Sequence, residues 1–307
     1  MQFYLLRRLL QMVPVILLVT MVIFFIIRVK GDPIAQLAPI DLLTPQEIAR
    51  MRHAYGFDRP VYAQYAEFLR GLALRGDFGT SFRYRTPALP LVLERLPKTL
   101  ELALTAALVA WVAALPLGVI AAVRRNSLVD VVATTSSVLG RALPNFWLGI
   151  MLILFFAVYL QWLPVSGSDT PLHLVLPAVT LGVGLATTLT RLIRSSMLEV
   201  VREDYMTTAR AKGIAEPTVL VKHALRNGLI PVLTVFGLQS AWLMGGVVIV
   251  EQVFAWPGMG QLMVQAILTR DMSIVQAGVF VFALIVLGLN LAVDLLYTII
   301  DPRIRYR

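Results

Sequence analysis

Cysteine is absent from the 307-residue chain, which removes disulfide frameworks, thiolate metal sites and thiol redox chemistry together. Histidine is nearly absent too. The three present, His53, His173 and His223, are widely spread, and no H-E-x-x-H places two of them on one helix face. No glycine is followed by lysine, so the phosphate-cradling G-x-x-x-x-G-K-[ST] loop occurs nowhere, and G-x-S-x-G is missing as well. Charge is thin, at 15% of residues against roughly 25% in soluble domains. Metal-assisted hydrolysis, serine hydrolysis and ATP hydrolysis therefore have no visible apparatus. The chain is expected to be no enzyme and to bind no cofactor or metal, and any ATP it depends on must be held by another chain.

What is abundant is apolar sequence: 58% of residues, with a mean hydropathy of +0.77. Uncharged runs cover 9–27, 102–123, 142–163, 174–190, 227–250 and 272–293. A bilayer core of about 30 Å needs roughly 20 helical residues. The shortest run, 174–190, extends through Leu172 at one end and Arg194 at the other, giving six spans. The first run is longer than a signal-peptide core and no small-residue cleavage site follows, so it is read as a retained span. The expected class is an all-α polytopic membrane protein.

The formal charge of +9 is distributed by side. Arg7, Arg8, Arg124, Arg125, seven basic residues between spans four and five, and Arg303, Arg305 and Arg307 share one side, whereas the two short loops opposite carry only Arg270. The positive-inside rule places both termini in the cytoplasm of a bacterial or archaeal cell membrane, with the bilayer rather than nucleic acid as the partner of that charge. The expected organisation is a peripheral N-terminal span (1–28), an extracytoplasmic segment with short helices (29–98), a five-helix core (99–300) containing a cytoplasmic loop (195–228), and a tail (301–307).

Within 29–98, Thr44-Pro45-Gln46-Glu47 is a capping box with proline at the first helical position, and Gly56 is a suitable stop. Asp58 is positioned to cap a second helix from Pro60, whose Tyr62, Tyr65, Phe68, Leu69 and Leu72 recur at helical spacing. That face either covers the bundle or docks a partner. Pro97 is expected to open the second span. Stripes of small residues (Ala106, Ala110, Ala114, Gly118 and Ala122; Ala178, Gly182, Ala186 and Thr190; Gly237, Ala241 and Gly245) mark helices that approach closely. Span one has no such stripe and is expected at the periphery. Pro116, Pro144 and Pro231 are candidate kinks.

Polar residues at membrane depth are candidates for a translocation path: Arg141, Asn145, Gln239, Asn290 and Asp294. Arg141 is deep if its helix starts near Leu128 and interfacial if it starts near Ala142; Asp294 either snorkels or pairs with Arg141. Trp256, Pro257 and Gly258 read as a turn at the outer face, where the tryptophan belongs either to the interfacial belt or to a gate.

Between spans four and five, acid at Glu203 and Asp204, base at Arg210 and Lys212, and then Gly213 complement a short helix and its stop. Such a helix is either a mechanical handle or an ordinary interfacial helix. Asp204-Tyr205, Thr207-Thr208-Ala209-Arg210-Ala211-Lys212-Gly213 and His223-Ala224-Leu225-Arg226-Asn227 together resemble the E-A-A-x-x-x-G loop of ABC importer permeases. The closest likeness is to the first permease subunit of the dipeptide/oligopeptide/nickel group. The resemblance runs through Gly31-Asp32-Pro33, Gly56-Phe57-Asp58-Arg59-Pro60, Gly76-Asp77-Phe78-Gly79-Thr80-Ser81, Leu96-Pro97-Lys98-Thr99 and Phe254-Ala255-Trp256-Pro257-Gly258-Met259-Gly260. Thr207 and Thr208 stand where the wider family has Glu-Ala, and Arg226 where it has proline.

The resemblance implies a type I importer permease fold and a homologous second permease. It also implies two cytoplasmic ATPases carrying ATP and Mg, an extracytoplasmic substrate-binding protein, and transport of peptides or similar small solutes. It implies further that Asp204, Tyr205, Thr208, Ala209, Arg210 and Lys212 enter an ATPase groove, with Gly213 setting the turn. A self-sufficient secondary carrier or channel is the alternative, although no ion site or discontinuous-helix pair is evident.

Overall fold

In the computed structural model, which describes residues 2–30, 44–54 and 58–300, the regular structure is helical and no strand longer than an isolated bridge occurs among the described residues. The helices are α1 (Gln2–Lys30), α2 (Pro45–Ala54), α3 (Val61–Arg75), α4 (Ala88–Val123), α5 (Leu128–Ala142), α6 (Asn145–Tyr159), α7 (Val175–Val200), α8 (Asp204–Ala211), α9 (Glu216–Val253), α10 (Met259–Leu268) and α11 (Met272–Ile300). Five helical stretches are long and apolar enough to cross a bilayer, with α7 counted from Pro171. The pair α5–α6 makes a sixth crossing if its two arms act as one span.

Contacts group the chain into two compact units, Met1–Lys98 with Gly258–Leu287, and Thr99–Pro257 with Gly288–Arg307. In the first, the capping box forms as expected. The Glu47 carboxylate accepts from the Thr44 N–H at 2.8 Å, and the Glu47 N–H donates to the Thr44 hydroxyl at 3.3 Å. Gly56 and the Gly31-Asp32-Pro33 motif lie outside the described residues. Asp58 does not cap α3, whose N-cap is Pro60; its carboxylate reaches back to His53 Nδ1 at 2.7 Å. Helix α3 ends on Gly76 in the left-handed conformation (φ +62°).

Helix α3 lies against α1. The Tyr65 hydroxyl donates to the Leu17 carbonyl at 3.0 Å, and Phe24, buried on α1, meets Phe68 with ring centroids 5.5 Å apart. Tyr62 is left out of that face, at 76% exposed. The rest of α1 presents Leu6, Leu10, Leu18 and Ile26 outward, as a span without small residues should. The core of this unit joins Phe78, Val92, Met259, Leu262, Ile274 and Val281. Burial of Ala88 and Val92 in that core explains why α4 begins well before Pro97, which sits inside the helix rather than at its start. Here packing overrides proline and the charges at Glu94, Arg95, Lys98 and Glu101.

In the second unit α4 and α7 touch through small residues. All five of the α4 stripe are buried. A Cβ added at Gly182 would stand 2.8 Å from the Ala106 carbonyl oxygen, and one at Gly118 2.7 Å from Ile193. Without an aqueous hydrophobic drive, such backbone approach is what holds helices together in lipid. Pro144 is more than a kink: α5 and α6 diverge by 107° across it, and the stretch from 128 to 163 is not one helix. Gly149 lets α6 close on Phe254, Val253 and Thr180, within 3.4 Å of a Cβ placed there. Helix α9 runs unbroken through Pro231 and through a π-helical stretch at Val219–Leu225, so the loop from Glu216 onward is continuous with span five.

Candidate coupling site and translocation path

Helix α7 ends at Val200, and Glu203 adopts extended backbone (φ −68°, ψ 146°), turning the chain before α8 starts. Asp204 in the first turn and Arg210 in the last lie where the helix dipole favours them. One side of α8 is closed: Met206 and Ala209, three positions apart, are 0% and 7% exposed. The other side is open and carries Asp204, Tyr205, Thr208, Arg210 and Lys212. Ala209, expected to face a partner, instead seats α8 into its own chain. Gly213 follows with φ +75°, and nothing lies within 4 Å of where its Cβ would stand. Backbone conformation, not space, demands glycine there; another L-residue costs about 1–2 kcal/mol.

Two side-chain contacts tie α8 to α9. The Asn227 amide donates to the Tyr205 hydroxyl at 3.0 Å. The Arg210 guanidinium gives Nη2 and Nε to the two Glu216 carboxylate oxygens at 3.0 and 3.1 Å. Behind them, the buried Ser196 hydroxyl donates to the Gly228 carbonyl at 2.7 Å, and a Cβ at Gly228 would stand 3.3 Å from the Met197 sulfur. The first two are exposed and individually weak. Together with the buried Met206 they make α8, the end of α7 and the start of α9 one piece.

Close by, Arg194 on α7 holds Asp130 on α5, with Nη2–Oδ2 at 2.8 Å, while the Asn126 N–H adds a bond at 2.9 Å. Asp130 is 4% exposed, so this is a buried carboxylate kept charged by its partners. Sequence reasoning missed it. Asp130 is the only acidic residue between 102 and 168, a signal that was there to read, but its partner is 64 positions away. Glu251 was missed as well. It sits just past the fifth apolar run, fully buried, and accepts from the buried Thr99 hydroxyl at 2.7 Å.

The five candidates for a path stand in different surroundings. Arg141 is exposed at the end of α5, just before the bend, and makes no ion pair among the described residues, so the expected pairing with Asp294 is not seen there. Asn145, the first residue of α6, stands between α7 and α9: its amide nitrogen would lie 3.0 Å from a Cβ on Gly246, and its oxygen 3.9 Å from one on Gly184. Gln239 and Asp294 are half-buried and Asn290 is exposed. The Trp256-Pro257-Gly258 stretch is a turn, with Ala255 left-handed (φ +48°) and the Phe254 carbonyl accepting from the Gly167 N–H at 3.1 Å. Trp256 is 1% exposed and is a packing residue, not part of an interfacial belt.

Comparison with known proteins adds to this geometry. Residues 114–306 match the family described as binding-protein-dependent transport system inner membrane component, and residues 1–103 match that family's N-terminal segment. The chain is 42% identical over 305 residues to the glutathione transport system permease protein GsiC of Salmonella choleraesuis (strain SC-B67), covering 99% of both chains. It is 41% identical, with the same coverage, to GsiC of Escherichia coli (strain K12). Among solved structures, inward-facing MetNI methionine ABC transporter resembles it with a TM-score of 0.55 at 20% identity, over 69% of this chain and 96% of that one. An amino acid ABC transporter crystallised with histidines gives 0.51 at 16% identity, over 70% and 94%.

Proposed function

Since the chain belongs to the binding-protein-dependent transport system inner membrane components, and is thus a permease of an ABC importer, we propose that it is driven from outside through α8. The open face of α8 seats in a groove of a cytoplasmic ATPase, with Asp204, Tyr205, Thr208, Arg210 and Lys212 as contacts. Met206 and Ala209 fix the helix to the permease, and Gly213 sets the turn that returns the chain to α9. A homologous second permease completes the pathway and a second ATPase drives it. ATP and Mg reside on those ATPases, and an extracytoplasmic binding protein delivers substrate. Both chain ends and α8 face the cytoplasm.

The observation that carries this reading is the two-sided character of α8: a buried side that transmits force and an open polar side with room for a partner. ATP-driven closure of the ATPase pair would move α8 together with the ends of α7 and α9, shifting the bundle between two access states. The substrate is a short peptide of glutathione type, a choice supported by the full-length similarity to the GsiC proteins.

The test is reconstitution of the complete complex in vesicles, with substrate uptake and ATP hydrolysis measured together. Charge reversal at Arg210 and Lys212 should leave the permease folded while lowering binding of the ATPase and uptake in parallel. Unchanged uptake in those variants, or uphill transport by this subunit alone, would overturn the proposal.

A further inference from the structure

On the α4–α5–α7 side of the second unit lies a cleft of about 480 Å³ whose walls include Ala113, Leu117, Leu128, Val132 and Thr187. It is almost wholly apolar, and it opens outward: Leu117, Leu128 and Val132 are 46%, 83% and 62% exposed. Helices α4 and α7 are long and apolar enough to cross a bilayer, so an outward face of theirs can meet the hydrocarbon phase.

The rim at one end of the cleft is cationic. Arg124 follows Leu117 by about two helical turns and so lies on the same face of α4, one residue past its end. Arg191 follows Thr187 by about one turn on α7. Arg125 adjoins Arg124 in the turn that leads to Leu128. All three arginines are exposed, and among the described residues none forms an ion pair. Asp130, two residues past Leu128, is already engaged by Arg194, and that bond fixes α5 to α7 beside the cleft. An apolar slot topped by unneutralised arginines matches one kind of molecule: two-part, with an acyl chain and an anionic head.

We propose that this cleft binds an anionic phospholipid, its acyl chain between α4, α5 and α7 and its phosphate against Arg124, Arg125 and Arg191. Basic pockets between transmembrane helices bind acidic headgroups in this way, and the cleft's size falls within the range of ligand sites. A segment of a second permease filling the slot is the competing occupant. It would leave the arginines without a counter-charge unless it brought its own acids. The inference does not depend on the direction of transport or on the substrate.

The test uses the whole transporter, partner subunits included, purified in mild detergent. Native mass spectrometry counts retained lipid, and thermal shift follows titration with phosphatidylglycerol, phosphatidylcholine or inorganic phosphate. Phosphatidylglycerol should be retained and should raise the melting temperature, whereas phosphatidylcholine and phosphate alone should do neither. The combined variant Arg124→Gln, Arg125→Gln, Arg191→Gln alters exposed residues only and should weaken phosphatidylglycerol retention at least tenfold. Ala113→Trp, which fills the slot, should abolish it. Because the chain has no cysteine of its own, Val132→Cys, labelled on this subunit before assembly with its partners, gives an attachment point unique within this chain for a photoreactive probe, which should label lipid. Retention equal to wild type in the arginine variant, equal binding of phosphatidylcholine, or probe labelling of the second permease instead of lipid would each overturn the assignment.

Discussion

The contact between α4 and α7 and the junction of α8 with α9 are built from opposite materials. The first uses almost no polar bonds: Gly182 and Gly118 bring backbone against backbone and side chain at distances that leave no room for a methyl group. The second has room, with nothing within 4 Å of a Cβ at Gly213, and holds its geometry through backbone conformation and a few exposed polar bonds. A bilayer offers neither a hydrophobic drive nor water to relieve a misfit, so the buried contact is fixed by volume. A junction in water can be adjusted by a partner, so it is fixed by direction. The two regions should therefore fail differently.

The largest effect is expected at the close contact. Gly182→Leu should cost about 3 kcal/mol or more, since overpacking against backbone cannot be relieved by rotamers, and should lower the yield and melting temperature of the purified complex. A normal melting temperature would mean that α4 and α7 are not in direct contact. Next comes Arg194→Ala, which strands the buried Asp130 carboxylate. Because Arg194 is itself partly exposed, the lower end of the range for breaking a buried pair applies, about 3 kcal/mol. Asp130→Asn combined with Arg194→Gln should recover much of that loss, which a double-mutant cycle will read.

Third, Gly213→Val should leave the assembled complex nearly as stable as wild type but lower uptake per ATP hydrolysed. Gly213→Asn should do less harm, because asparagine tolerates a left-handed backbone. Equal effects of valine and asparagine would show that side-chain volume, not conformation, matters there, and would erase the contrast between the two regions.

The smallest effect lies far from both. The Thr44 N–H and hydroxyl hold the Glu47 carboxyl below its ordinary 4.5. The cap is therefore intact above pH 4.5 and is lost as pH falls through the lowered value. Hydrogen exchange in residues 45–54 should quicken only in that acid range, with no change in the spans.

Much of this could be read from the residues. The apolar runs, the Thr44–Glu47 box and the short acid-to-base helix before Gly213 are local patterns, and local patterns write themselves in order along the chain. What could not be read was set by distant partners. Gly213 and Gly228 look alike in sequence, each placed just after a basic stretch of the same loop. One is left-handed in open space, while the other is buried under Met197 inside a continuous helix. Pro144 announced a bend, but its size depends on Gly149 closing on Phe254 and on Asn145 fitting beside Gly246. Charges and Pro97 ahead of residue 102 mark where apolarity begins, not where α4 begins. Ala209 carried a family role that its burial redirects, and the pairing of Asp130 with Arg194 joins residues no window spans.

The continuity of α9 has a mechanical meaning. Its 38 residues reach roughly 57 Å at 1.5 Å each, with no joint between the foot beside α8 and the far tip near Val253. Over that length a rotation of about 2° at the foot sweeps the tip sideways by about 2 Å. A stiff rod of this kind converts a nudge too small to break any bond into a displacement the width of an atom. The π-turned segment near its base and Pro231 beyond it are where the rod could yield instead of swing.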